Sequence, residues 1–146
     1  MRVKSEHHAC AHQQPVTIVG AGGHDRRNTH QARDIFIRWY ADRGRVWLGD
    51  KVKEHARRLE VTPAELRVQD LGYRWGSCGK GNRVYFHWKT ILLPRPIAEY
   101  VVVHELVHLH EAHHTPAFWR RLERAMPDYE RRKTWLAKNG GEVEAL

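Results

Sequence analysis

The chain has 146 residues, 41% hydrophobic and 29% charged, with a formal net charge of +8. That length fits one compact domain with a moderate core, and no apolar run is long enough to span a bilayer. The first residues lack the apolar core of a secretory signal, and the two cysteines, Cys10 and Cys78, make no disulfide framework, so a soluble cytoplasmic protein without a membrane partner is expected. The basic balance has two readings. It can attract nucleotides or nucleic acid, or it can solvate helix faces, which is natural for Arg120-Arg121 and Arg131-Arg132-Lys133.

Residues 1–30 lack periodicity and are read as an extension without a fold of its own, leaving 31–146 as the domain. Two patterns there are set aside. His7-His8-Ala9-Cys10-Ala11-His12 is a tract of the kind that chelates adventitiously. Val16 to Gly23 is similar to the opening of a dinucleotide-binding turn, but the third glycine would fall at Asp25 and no good helix start follows.

From about Gln31 to Glu60 the pattern is helical, with Phe36, Trp39 and Tyr40 clustered and Trp47, Val52, Ala56 and Leu59 continuing a face. Gly44 and Gly49 mark places for a break. Thr62-Pro63 predicts a turn, and Leu66 and Val68 alternate with Arg67 and Gln69 as a half-buried strand. A glycine-rich connection, Gly72 to Asn82, leads to a second strand in which Val84, Phe86 and Trp88 alternate with Tyr85, His87 and Lys89. The two strands are expected to pair in a small antiparallel sheet packed on helices, giving an α+β fold.

Pro94 and Pro96 end that strand and open a helix near Pro96. This helix carries Val101-Val102-Val103 and then His104-Glu105-Leu106-Val107-His108, and so apolar a segment is expected to be buried. Residues four apart on a helix lie nearly above one another, so His104 and His108 present two imidazoles to one point. Their spacing, with Glu105 between them, is the H-E-x-x-H pattern that binds Zn2+ and supplies a general base. Histidines are common here, twelve in all, and an ordinary buried helix is the plainer alternative. Buried ionisable groups need partners, however, and a metal is the simplest partner for two histidines on one face.

A catalytic zinc has three protein ligands and an open position. His114, His113 and Glu111 compete for the third place, in that order. Thr115-Pro116 reads as an N-cap and first residue of a new helix, so the motif helix must end near Glu111 to His113 and free His114 to fold back. Tyr129 to Lys138 reads as a last helix, stopped by Asn139-Gly140-Gly141.

Arg74-Trp75-Gly76-Ser77-Cys78, Phe86-His87-Trp88, the motif helix, His114-Thr115-Pro116-Ala117-Phe118-Trp119 and Met126-Pro127-Asp128-Tyr129 together resemble the YgjP-like family of zinc metallopeptidases, in order from about Phe36 to Leu136. Relatives usually carry asparagine where His87 stands, and a longer strand-rich portion where this chain has its first thirty residues. The resemblance implies a zincin-like α+β domain, His104, His108 and His114 as metal ligands and Glu105 as the catalytic carboxylate. In such a site zinc lowers the pKa of its water to about 7, and Glu105 takes the proton and later passes it to the leaving group.

The expected function is a zinc-dependent metallopeptidase acting on a peptide or protein laid along the strand at Val84 to Trp88. The alternatives are a zinc-dependent nucleoside-triphosphate pyrophosphohydrolase and a nucleic-acid-associated module with structural zinc. Arg74, Tyr73 and His87 are oxyanion-donor candidates by neighbourhood alone. Trp75 and Trp88 are expected in the core, and Ser77 and Cys78 to shape a turn.

Overall fold

A computed structural model describes residues 26–146. The elements run α1 (Arg26–Leu59), β1 (Glu65–Gln69), β2 (Gly76–Gly79), β3 (Arg83–His87), a 3-10 turn (Trp88–Leu92), α2 (Arg95–Val107), α3 (Pro116–Ala125) and α4 (Tyr129–Glu144). The boundary expected at residue 30 falls inside α1. The histidine tract at 7–12 and the glycine segment at 16–23 lie outside the described residues.

α2 is the centre of the molecule. Ile97, Ala98, Tyr100, Val101, Val102, Val103, Leu106 and Val107 are all buried, so neighbours cover the helix on nearly every side. Valine is a weak helix former because its branched side chain crowds the preceding turn. Three in a row stay helical because burying each offsets a few tenths of a kcal/mol of propensity with roughly 1.5–3 kcal/mol of desolvation. α1, α3, α4 and β2 pack around this rod.

α1 is unbroken for 34 residues, against the break expected at Gly44 or Gly49. Leu48, Val52 and Ala56 recur every fourth residue on its buried side. Gly44 is a close-approach residue: a Cβ there would lie 2.8 Å from Cγ2 of Ile91 in the 3-10 turn.

The sheet is mixed, with strand order β1-β3-β2. β1 pairs parallel to β3, Glu65 opposite Arg83 and Gln69 opposite His87, while β2 pairs antiparallel, Gly76 opposite Phe86 and Gly79 opposite Arg83. The purely antiparallel sheet expected from sequence is therefore corrected. The glycine-rich connection contains a strand, which turns back at Lys80–Asn82 through positive φ at Gly81 and Asn82 and takes one edge of β3. β1 is left with the other edge. β3 thus has a neighbour on each side, so no peptide can be added along Val84 to Trp88.

α4 runs through Asn139-Gly140-Gly141 to Glu144 instead of stopping there. Gly140 is buried, and a Cβ on it would crowd Leu136 Cδ1 of the same helix at 3.2 Å and meet the Trp75 ring at an ordinary contact distance of 3.4 Å. Among the described residues no helix is long and apolar enough to cross a membrane.

Candidate metal centre

His104 and His108 lie at the C-terminal end of α2, four residues apart, with His108 as its C-cap. The helix loosens there: Leu109 and His110 bond to carbonyls three residues back, and the chain turns through 111–114. Thr115 then caps α3, its hydroxyl accepting from the Phe118 N–H, with Pro116 in the first turn. The turn brings His114 back over α2.

Three Nε2 atoms meet as a result. His114 Nε2 is 3.0 Å from that of His104 and 3.1 Å from that of His108. Nitrogens bound tetrahedrally to zinc at about 2.0–2.1 Å stand roughly 3.3 Å apart, so this spacing fits one small ion. The tautomers fit as well. His108 Nδ1 lies 3.0 Å from the Glu111 carbonyl, which can only accept, so a neutral ring carries its proton on Nδ1 and bares the lone pair of Nε2. His104 Nδ1 lies 3.4 Å from the Tyr100 hydroxyl, and burial pushes that phenol's pKa up, so it stays neutral. Phe118, fully buried, contacts all three rings at centroid separations of 4.5–4.9 Å and forms their apolar floor.

The rivals for third ligand are used elsewhere. The Glu111 carboxylate accepts from Arg121 at 3.0 Å. His113 is exposed, and its carbonyl accepts from the Thr115 N–H. Neither belongs to a metal-sized cluster among the described residues.

Glu105 is buried, only 7% exposed. Burial raises its pKa to about 8, against smaller opposing effects from the Cys78 thiol and the charge of Arg74. The Cys78 sulfur lies 3.0 Å from the Glu105 carbonyl and 3.6 Å from Oε2. β2 presses its first residue, Gly76, against the same side chain. Sequence reasoning gave Gly76 and Cys78 no part in the site, since a glycine in a loop signals only a turn. Arg74-Trp75-Gly76-Ser77-Cys78 in one contiguous motif was the signal available.

Of the oxyanion candidates, His87 is corrected. It is buried, its Nδ1 accepts from the Lys89 N–H, and its Nε2 lies 3.4 Å from Asp70, so it caps the 3-10 turn. Burial also lowers its pKa. Tyr73 is 94% exposed. Arg74 remains, as the one of the three whose charge acts on Glu105. Trp88 lies in the core and Trp75 packs against it, as expected. Several of the basic side chains are paired: Arg121 with Glu111, Arg131 and Arg132 with Asp128, Arg67 and Arg83 with Glu65. Those pairs favour the solvated-face reading of the positive charge.

A buried helix ending in two histidines and a glutamate, backed by a small sheet and joined by a third histidine from the following turn, defines a zincin-like α+β metallopeptidase fold. The metallopeptidase zymogen of Pyrococcus abyssi abylysin shares that fold, with a TM-score of 0.53 and 23% identity, covering 60% of this chain and 86% of that one. The chain belongs to the YgjP-like family, whose metallopeptidase-domain model matches residues 1–139, and is accordingly a metal-dependent hydrolase of the peptidase class. That match takes in the first thirty residues. No curated protein matches this chain.

Proposed function

We propose that the protein is a zinc-dependent peptidase in which His104, His108 and His114 hold the metal and Glu105 moves the proton. The observation that carries this reading is the convergence of three Nε2 atoms at 3.0 and 3.1 Å, one of them set as a bare lone pair by the Glu111 carbonyl. Three neutral nitrogens with a fourth position open is the donor set of catalytic zinc, and imidazole suits zinc better than it suits magnesium or calcium. When bound, zinc supplies Lewis-acid chemistry, acidifying a water and polarising the scissile carbonyl.

Glu105 does the rest. Beside a bound dication, which would lower its pKa from the value of about 8 that burial gives it in the metal-free chain, it would ionise, take a proton from the attacking water and return it to the departing amine. Gly76 and Cys78 hold that carboxyl in place. Arg74 is the cation best placed to offset negative charge at this end of the sheet. With β3 enclosed, an extended peptide or protein segment adds instead to the outer edge of β2, which carries no described strand and abuts Glu105. A reducing cytoplasm suits the arrangement, because Cys78 must stay a thiol to face the carboxylate. No observation favours the nucleotide or nucleic-acid alternatives.

The test is zinc stoichiometry followed by hydrolysis of a quenched-fluorescent peptide library. About one zinc per chain is expected in the parent and in Glu105→Gln, with clear loss in His114→Ala. Glu105→Gln should cut turnover at least about a hundredfold. A parent that takes up no zinc, or a Glu105→Gln variant as active as the parent, overturns the reading.

A further inference from the structure

We infer that Trp119 is a positioning residue for the metal centre: its indole sets the plane of the His114 ring and is itself held by Tyr129 and Lys133 of α4. The inference rests on the three-histidine reading above and adds to it a residue that acts through the His114 ring instead of supplying a ligand atom.

The three histidines are not held by the same kind of element. His104 and His108 take their direction from the register of α2. His114 stands in the turn between α2 and α3, where no helical register fixes its side chain. Its ring lies against Trp119 with centroids 5.5 Å apart and planes 24° apart. That is offset stacking, the favoured geometry for two rings in contact.

Trp119 is in turn fixed from two directions. It lies in the first turn of α3, its N–H donating to the carbonyl of the N-cap Thr115. Across the indole, Tyr129 stacks at 5.7 Å and 24°, and the Lys133 ammonium lies 4.1 Å from the ring centroid. The order Tyr129/Lys133, Trp119, His114 makes a ladder from the surface helix α4 to the third nitrogen. Phe118 beside it is fully buried and serves as core, whereas Trp119 is only half-buried. Trp119 packs at the margin of the core, where one side of its indole is left to hold the imidazole plane.

Partners that orient a ligand typically change metal affinity 10–100-fold when removed. The experiment measures zinc affinity of the whole chain by competition with a chromophoric chelator, and the visible absorption of the cobalt(II)-loaded protein. Trp119→Leu fills space without a flat face, and Trp119→Phe keeps one. We expect Trp119→Leu to bind zinc at least about tenfold more weakly and to change the cobalt spectrum, and Trp119→Phe to stay within about threefold of the parent with its spectrum retained. Equal affinities for the leucine variant and the parent overturn the inference and leave the metal site intact. A parent that binds no zinc sinks the three-histidine reading and the inference with it. If metal-free Trp119→Leu loses its cooperative unfolding, Lys133→Met and Tyr129→Leu take its place. Weaker zinc binding in both then supports the ladder, and unchanged binding in both overturns it.

Discussion

Gly76 and Glu105 lie so close that a Cβ at position 76 would stand 2.6 Å from Glu105 Cγ and 2.8 Å from Oε1. The absence of a side chain there lets β2 reach the motif helix at the residue that carries its carboxylate. Neither partner can retreat easily, because β2 is tied to β3 and α2 is the buried centre of the fold. Gly76→Ala is therefore expected to cost about 1–3 kcal/mol of stability through overpacking. It should also lower turnover about a hundredfold by displacing Glu105, with zinc content unchanged. Denaturant unfolding, metal analysis and peptide hydrolysis on one preparation separate these effects, and a variant with parental turnover contradicts the argument.

Cys78 faces both the carbonyl and the carboxylate of Glu105. A single neutral hydrogen bond is worth about 0.5–1.5 kcal/mol, or roughly two- to thirteenfold in rate. Cys78→Ala should lose that much in kcat with KM nearly unchanged, and Cys78→Ser should recover most of it by restoring a donor. Indistinguishable alanine and serine variants would leave the thiol with a packing role only.

The metal-free protein should lose stability as pH rises. Folded Glu105 keeps its proton up to about pH 8, whereas in the unfolded chain it ionises in the ordinary carboxylate range. Between those values the folded state binds more protons, so unfolding becomes easier with each step upward in pH. Unfolding midpoints of chelator-treated protein at pH 5 and pH 8 should fall more for the parent than for Glu105→Gln. Parallel slopes in the two proteins would refute the assignment.

Glu99 should matter to stability in the opposite sense. It accepts from the buried His55 ring at 2.7 Å and lies 3.4 Å from Lys51 and 3.7 Å from Arg132, joining α1, α2 and α4. Burial alone would raise its pKa, but the bonds from His55 and Lys51 outweigh that and hold it below its ordinary value. Its contribution is present above the ordinary carboxylate range and disappears as pH falls through the lowered pKa. Glu99→Ala strands the His55 nitrogen and should cost about 1–3 kcal/mol at neutral pH, read by chemical denaturation, with zinc uptake retained. A loss under about 0.5 kcal/mol would mean that water replaces the carboxylate.

Sequence reasoning reached the parts of this protein that local rules govern. The pairing of His104 with His108 follows from helical spacing, and the return of His114 follows from the Thr115-Pro116 start signal, because capping and proline geometry act within a few residues. It failed at Gly44 and Gly76, read as a break and a connection. Each is a place where backbone must approach a side chain distant in sequence, Ile91 and Glu105 respectively. A glycine's freedom in a turn and its thinness in a contact look alike in a sequence. The direction of β1 was out of reach for a related reason: alternation defines a strand's faces, and says nothing of which way its neighbour runs.

The three imidazoles all come from the short stretch 104–114, whereas Cys78, which faces Glu105, is 27 positions away. Gathering the nitrogens requires closing one small loop at the end of a helix, a modest entropic cost. Seating the carboxylate requires the sheet to have formed and docked. If the three histidines hold the metal as proposed, capturing an ion and putting it to use are thus separate demands on this chain. A molecule damaged only along β2 is then expected to be loaded and yet inert.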